Sequence, residues 1–245
     1  MWLISELLIS FVNTEITICI TTYNRPELLK ESLKSVLNQS YKNFRVIIGN
    51  DFIDQKITFE SLELEFDERI KIINHNENLG EIANGNFMLN LCETEWFCYL
   101  SDDDLLHPSF LEELILIKEK ENGVTAIFPN FFIGKSVEKN FYLKTKNKYE
   151  CFFESNVFIK EYLTNKITLI GCYGLINTQV LKKVGGLPIL SNDENIYSDF
   201  VLPIMLCRHG KIGWTNQKLV FNRVHGQSRS INTTFSNLIQ SQDNV

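Results

Sequence analysis

Three aspartates stand in a row, Asp102-Asp103-Asp104, directly after the apolar run Trp96-Phe97-Cys98-Tyr99-Leu100. Carboxylates this close are ordinarily ionised at neutral pH and repel one another unless a cation or hydrogen-bond donors sit among them. Hard carboxylate oxygens suit Mg²⁺ or Mn²⁺, and substrate phosphates often complete such sites. The competing structural reading is an acidic turn that caps the next helix, because Asp is a good N-cap and turn residue.

The elements around the aspartates decide how they are presented. Residues 96–100 are short, aromatic-rich and bounded by charge, which predicts a buried strand. Residues 16–20, 44–48, 69–73 and 124–128 are further strand-like runs. Between them lie helical patterns. Asn24-Arg25-Pro26 starts one helix, with Leu28, Leu29, Leu33, Val36 and Leu37 on one face. Another spans residues 82–92, and His107-Pro108 starts a third. A weakly patterned helix is expected near residues 59–66. Strand and helix alternating in this way predict an α/β fold with a mostly parallel sheet covered on both faces. Ligands in such sheets bind outside the carboxyl ends of the strands. Thr21-Thr22-Tyr23-Asn24-Arg25, Asn50-Asp51 and Asp102-Asp103-Asp104 all fall at such ends. One topological rule therefore brings three segments to one crevice.

The second half is less regular. Residues 131–147 read as loop or hairpin, 154–163 as a helix and 167–176 as a strand. Residues 180–184 read as a helix ending at Gly185-Gly186. A helix over 198–208 and two strands, 211–214 and 218–224, complete the pattern. Asn84 and Asn86 read as polar-face residues or ligand contacts. No repeat or long linker divides the chain. The reading is a single domain over 15–230, with a regular half (15–129) and a less regular half (130–230). An apolar segment (1–14) precedes it and a polar tail (231–245) follows.

Composition narrows the function. The chain of 245 residues carries a net charge of −6, a poor balance for general nucleic-acid binding, which needs Lys and Arg to neutralise phosphates. Lys135, Lys139, Lys144, Lys146 and Lys148 nevertheless cluster in one stretch. They read as a solvated loop, or as a flap near an anionic ligand or membrane surface. The six cysteines lack CxxC spacing and sit mostly in apolar segments, which argues against a zinc site and for a reducing, cytoplasmic setting. The apolar N-terminal segment is shorter than the roughly 20 residues of a spanning helix. It reads as packed on the body, as a homodimer contact or as a weak anchor at the membrane's inner face.

The motifs in order resemble those of family 2 glycosyltransferases. Ile18-Cys19-Ile20-Thr21-Thr22-Tyr23-Asn24-Arg25-Pro26-Glu27 resembles the family's opening, and Leu100-Ser101-Asp102-Asp103-Asp104 resembles its DxD segment. Gly185-Gly186-Leu187 with Ser198-Asp199-Phe200 is similar to its acceptor-side region, and Arg223-Val224-His225-Gly226-Gln227-Ser228 to its closing motif. The resemblance implies a GT-A fold, with residues 15–129 as its nucleotide-sugar half and 130–230 as its acceptor half, and metal-dependent, inverting sugar transfer, from a nucleotide-sugar donor (a UDP-sugar above all) to a saccharide or lipid-linked acceptor. It further implies a role in bacterial surface polysaccharide or lipopolysaccharide synthesis. Carried over by motif, Thr21, Tyr23 and Arg25 line the nucleoside pocket and Asp51 meets base or ribose. Asp102 and Asp103 form the DxD pair on the donor. Asp103, with Asp104 beside it and His225 approaching, holds Mn²⁺ or Mg²⁺. Asp199 is the catalytic base. Phe52-Ile53 stands where the family usually has Gly-Ser, and Ser198 where it usually has Glu. The alternatives are a degenerate GT-A-fold binding module and a phosphoryl or nucleotidyl transferase. A haloacid-dehalogenase-type enzyme would carry its aspartates after the first strand, which here ends in Thr21-Thr22.

Overall fold

The computed structural model describes residues 14–143, 145–190 and 197–225. The apolar N-terminal segment up to residue 13, Lys144, Gly226-Gln227-Ser228 and the polar tail lie outside the described residues.

The first half alternates as the pattern predicts. β1 (Ile16–Thr22) leads into α1 (Pro26–Leu37), then β2 (Phe44–Asn50), β3 (Ile70–Asn74), α2 (Glu81–Leu91) and β4 (Trp96–Ser101). Pro26 opens α1, where its missing N–H costs nothing. After β4 come the short β5 (Leu105–Leu106), α3 (Phe110–Lys118) and the long β6 (Val124–Gly134). A 3-10 turn (Lys139–Tyr142), β7 (Glu150–Phe153), α4 (Ser155–Leu163), β8 (Leu175–Asn177), α5 (Thr178–Lys183), α6 (Ser198–Leu206) and β9 (Lys211–Arg223) follow.

These strands form one nine-stranded sheet in the order β3-β2-β1-β4-β8-β6-β9-β5, with β7 paired to β9. The long ladders, β1 with β2 and β4, β2 with β3, and β6 with β9, are parallel. The antiparallel ladders are short. Side chains alternate across β1. Ile16, Ile18 and Ile20 pack with α1 and α3 on one face, and Cys19 joins Met88, Phe97, Phe158 and Leu202 on the other. Both faces are covered, which explains why the parallel strands are apolar throughout.

Four sequence expectations need correction. Residues 59–66 form no helix. Thr58 and Ser61 exchange side-chain and backbone hydrogen bonds, and Glu63 takes φ 56°, a left-handed residue that stops the chain after one turn. Of the expected 167–176 strand only residues 175 and 176 lie in the sheet, as the start of β8 (Leu175–Asn177). The expected 131–147 loop begins as the end of β6, up to Gly134. The two predicted C-terminal strands are one, β9, with its register against β6 shifting where Asn130 meets Lys218.

Candidate active site

The strand order sets β1 between β2 and β4, so the ends of all three open on one side. Polar side chains of α1 hold the segment after β4 in place. Ser32 Oγ donates to Ser101 O (3.1 Å), and Ser35 Oγ accepts from Leu106 N (3.1 Å). The buried Gln39 amide donates to His107 O (2.8 Å) and accepts from Leu111 N (3.0 Å). A buried amide with partners on both sides is a rigid tether. Residues 101–111 are thereby fastened to α1.

The three aspartates take different partners. Asp102 is buried. Its Oδ2 accepts from Thr22 Oγ1 at 2.6 Å, and its Oδ1 faces Arg25 Nη2 at 2.8 Å, an ion pair without hydrogen-bond alignment. Burial pushes the Asp102 carboxyl up to about 6, although Arg25 and Thr22 pull the other way. Asp103 Oδ2 receives Arg25 Nη1 at 2.9 Å and lies 3.0 Å from His225 Nε2. Asp104 turns to the opposite side. Tyr173 Oη donates to its Oδ2, as does Asn222 Nδ2 at 2.9 Å, and Arg223 N donates to Oδ1 at 2.7 Å. Burial, with Asp103 adding repulsion, raises the Asp104 carboxyl to about 7. Both Asp104 oxygens are engaged by these donors. A role as metal ligand would require giving some of them up; in this arrangement Asp104 fastens the end of β9, and with it His225, to the aspartate segment.

Among the described residues no group of three His, Cys, Asp or Glu side chains is gathered as a metal cage. Asp103 and His225 offer one carboxylate and one imidazole at the crevice. That donor set fits a divalent cation whose remaining positions go to phosphate oxygens and water.

The nucleoside side of the crevice is built from β1 and β2. Tyr23 is about half exposed (48%) and meets Phe52 edge-on at 5.4 Å, so Phe52, where a small residue was expected, supplies an aromatic wall. Asp51 is buried and its Oδ1 accepts from Leu79 N at 3.0 Å, holding the loop that precedes α2. Thr21, next to last in β1, makes no side-chain hydrogen bond among the described residues, whereas Thr22, which ends the strand, bonds to Asp102. Period-2 alternation along β1 puts these two threonines on opposite faces, a signal that could have separated them.

Asp199 sits in the first turn of α6, where it accepts backbone hydrogen bonds from Phe200 and from its own N–H. Burial outweighs those bonds and lifts its carboxyl to about 6, with Glu81 adding repulsion. It does not hydrogen-bond to the aspartate triplet. The link between the two is the turn Gly171-Cys172-Tyr173, which the sequence reading passed over as plain strand. Tyr173 reaches Asp104, and Cys172 feels the charges of Asp199, Glu81 and Asp104 together. A Cβ on Gly171 would lie 1.8 Å from Asp199 O and 2.5 Å from the Pro203 ring, so only glycine lets α6 approach this closely.

Asn84 and Asn86 are structural tethers, not polar-face residues. Asn84 Nδ2 donates to Gly49 O (2.8 Å), and its Oδ1 lies 3.0 Å from His75 Nε2. Asn86 both donates to Leu187 O and accepts from Leu187 N, pinning the turn at Gly185-Gly186 to α2.

Residues 17–185 match the family described as glycosyl transferase family 2. The chain belongs to that family. The family match covers the sheet from β1 through α5 and stops before Asp199 and His225. A glycosyltransferase of Campylobacter jejuni, named as a GalNAc(5)-diNAcBac-PP-undecaprenol beta-1,3-glucosyltransferase, is 29% identical over 169 residues, covering 62% of this chain and 54% of its own. An uncharacterised glycosyltransferase of Rickettsia typhi is 25% identical over 225 residues, 91% of this chain and 68% of its own. Across the relatives compared, this chain spans between 20% and 69% of their length. Among solved structures, residues 1–349 of Staphylococcus aureus TarS in complex with UDP-GlcNAc superpose with a TM-score of 0.67 at 16% identity, over 90% of this chain and 61% of that one. The fold of this family 2 chain is accordingly GT-A: a mostly parallel sheet flanked by helices.

Proposed function

We propose that this chain transfers a sugar from a nucleoside-diphosphate donor to an acceptor hydroxyl, with inversion at the anomeric carbon. The observation that carries the reading is the shared oxygen of Asp103, approached by Arg25 at 2.9 Å and His225 at 3.0 Å at the mouth of the β1–β4 crevice. A guanidinium, an imidazole and a carboxylate at one point suit a diphosphate and a cation better than a neutral ligand. Thr21, Tyr23 and Asp51 would line the nucleoside, with the ring of Tyr23 against the base or ribose. Asp102, turned inward, would hold Arg25 rather than touch the donor.

A divalent ion, Mn²⁺ or Mg²⁺, would be held by Asp103 and His225, and when bound it supplies a positive charge against the leaving diphosphate. Asp199 would accept the acceptor hydroxyl's proton while that oxygen bonds to the anomeric carbon and the bond from carbon to phosphate oxygen breaks. The electron pair of that bond leaves on the nucleoside diphosphate. An elevated carboxyl near 6 suits a base working close to neutral pH. The buried turn 171–173 would help keep water from the anomeric carbon, where hydrolysis would otherwise compete with transfer.

The named Campylobacter jejuni relative, whose substrate is a diphospho-undecaprenol saccharide, and the UDP-GlcNAc complex of TarS support a UDP-sugar donor and a saccharide or lipid-linked acceptor. We extend the reading to work on bacterial surface polymers at the cytoplasmic face of the membrane, an extension that rests on family analogy. Incubation of the protein with UDP-GlcNAc, UDP-glucose and UDP-galactose, with Mn²⁺, Mg²⁺ or EDTA, tests the reading. Slow UDP release from one donor, lost with EDTA, is expected. Binding of a donor with no UDP release, with or without an acceptor extract, would favour the binding-module reading instead.

A further inference from the structure

The segment between β6 and β7 was left over by the active site, and it has an unusual composition. Residues 132–149 hold five lysines against one glutamate, in a chain whose net charge is −6. Large apolar side chains stand exposed among the lysines: Ile133 (63%), Tyr142 (54%), Leu143 (70%) and Tyr149 (61%). Exposed aromatic and aliphatic side chains interleaved with lysine form a surface suited to the boundary of an anionic bilayer, where apolar side chains enter the headgroup layer and ammonium groups stay with the phosphates. Lys135, Lys139 and Lys146 make no ion pair with described residues, Lys218 lies over the Phe132 ring at 4.6 Å, and Lys148 pairs with Glu113.

The patch is built on a firm base. Phe141, at the centre of the 3-10 turn, is buried against Leu105 and Phe221 and meets the His107 ring at 5.6 Å. Asn216 N donates to Tyr149 O, and Asn216 Nδ2 to Asn147 O, so the far end of the segment is fixed along β9. Leu105 follows Asp104 in the chain and Phe221 precedes Asn222, whose amide holds Asp104. The same strands that carry the aspartate cluster therefore carry this surface.

We propose that residues 132–143 and 145–149, with Lys218, dock the protein on an anionic lipid bilayer and hold the crevice beside it. The purpose of docking rests on the lipid-linked acceptor reading, but the docking itself can be measured without donor or acceptor. The full chain is mixed with vesicles of phosphatidylcholine alone, or with about 30 mol% phosphatidylglycerol, enough for a negative surface potential, and sedimented at about 0.1 M and about 0.5 M salt. Binding to the anionic vesicles only, weakened at the higher salt, is expected. Each exposed lysine changed to glutamine should weaken partitioning about fivefold, and the triple variant Lys135→Gln, Lys139→Gln, Lys146→Gln on the order of a hundredfold. Leu143→Ser should weaken it as well, while thermal unfolding stays that of the parent because this side chain is 70% exposed. Equal binding to neutral vesicles, no binding to either, or full binding by the triple variant overturns the proposal. Retained UDP-sugar hydrolysis in a variant that no longer binds vesicles separates loss of docking from loss of the enzymatic reading.

Discussion

Tyr173→Phe removes one hydroxyl and little else, and its effect on stability should depend on pH in a specific direction. Tyr173 and Asp104 are both buried, and the hydroxyl is one of three donors to that carboxylate. A hydrogen bond to a charged group contributes about 1.5–3 kcal/mol, and a neutral one about 0.5–1.5. The folded-state carboxyl of Asp104 is raised to about 7, against an ordinary value near 4 in the unfolded chain. Above the folded value the carboxylate is charged in both states, so the variant loses a charge-assisted bond. Near pH 5.5 the folded carboxyl is protonated and a weaker bond is lost. The deficit should thus grow as pH rises through about 7. At about 2–4 °C per kcal/mol for a chain of this size, it should lower Tm by roughly 3–12 °C at pH 8.5 and by less than half of that at pH 5.5. Circular dichroism melts of both proteins in metal-free buffer measure it. A deficit equal at the two pH values, or larger at the acid one, would refute the assignment of Tyr173 as donor to a titrating Asp104.

Asp199→Asn should keep donor affinity and lose about 10²–10⁴ in turnover; near-normal turnover would remove Asp199 as base. In the parent, the same group predicts that kcat/KM falls about tenfold per unit as pH drops below about 6, because burial raises its carboxyl and protonation removes the base. A rate that stays flat down to pH 5 contradicts this. Gly171→Ala places a Cβ 1.8 Å from Asp199 O, so α6 must move; kcat should fall at least tenfold with donor Kd within about twofold, and an unchanged kcat would mean the close approach has no role in positioning Asp199.

Much of this arrangement is legible in the chain because local signals and tertiary packing agree there. The continuous apolar runs of β1, β2 and β4, and Pro26 at the start of α1, specify their own elements. The convergence of Thr22, Arg25 and Asp102 follows from strand order alone. What was not legible depends on contacts distant in sequence. Asp104 looks like its two neighbours until Tyr173 and Asn222, from 69 and 118 residues away, claim its oxygens. Asn86 looks like a polar-face residue until Leu187 arrives at its amide. Residues 59–66 have enough leucine and phenylalanine for a helix, but reciprocal Thr58–Ser61 bonds offered the backbone a cheaper local alternative. Gly171 carries its meaning only in the close approach of Asp199 O, which would lie 1.8 Å from a Cβ at this position and which no local pattern encodes.

The central claim is that Asp103, with Arg25 and His225 on the same oxygen, is the point where a donor diphosphate and a divalent ion are held. Calorimetric titration of UDP-GlcNAc and UDP-glucose into the parent and Asp103→Ala, each with Mn²⁺ and with EDTA, tests it most directly. The account predicts Mn²⁺-dependent binding of at least one donor by the parent, and at least about a hundredfold weaker binding by Asp103→Ala, the loss of roughly 3 kcal/mol. Equal, Mn²⁺-dependent affinity in the two proteins would contradict it.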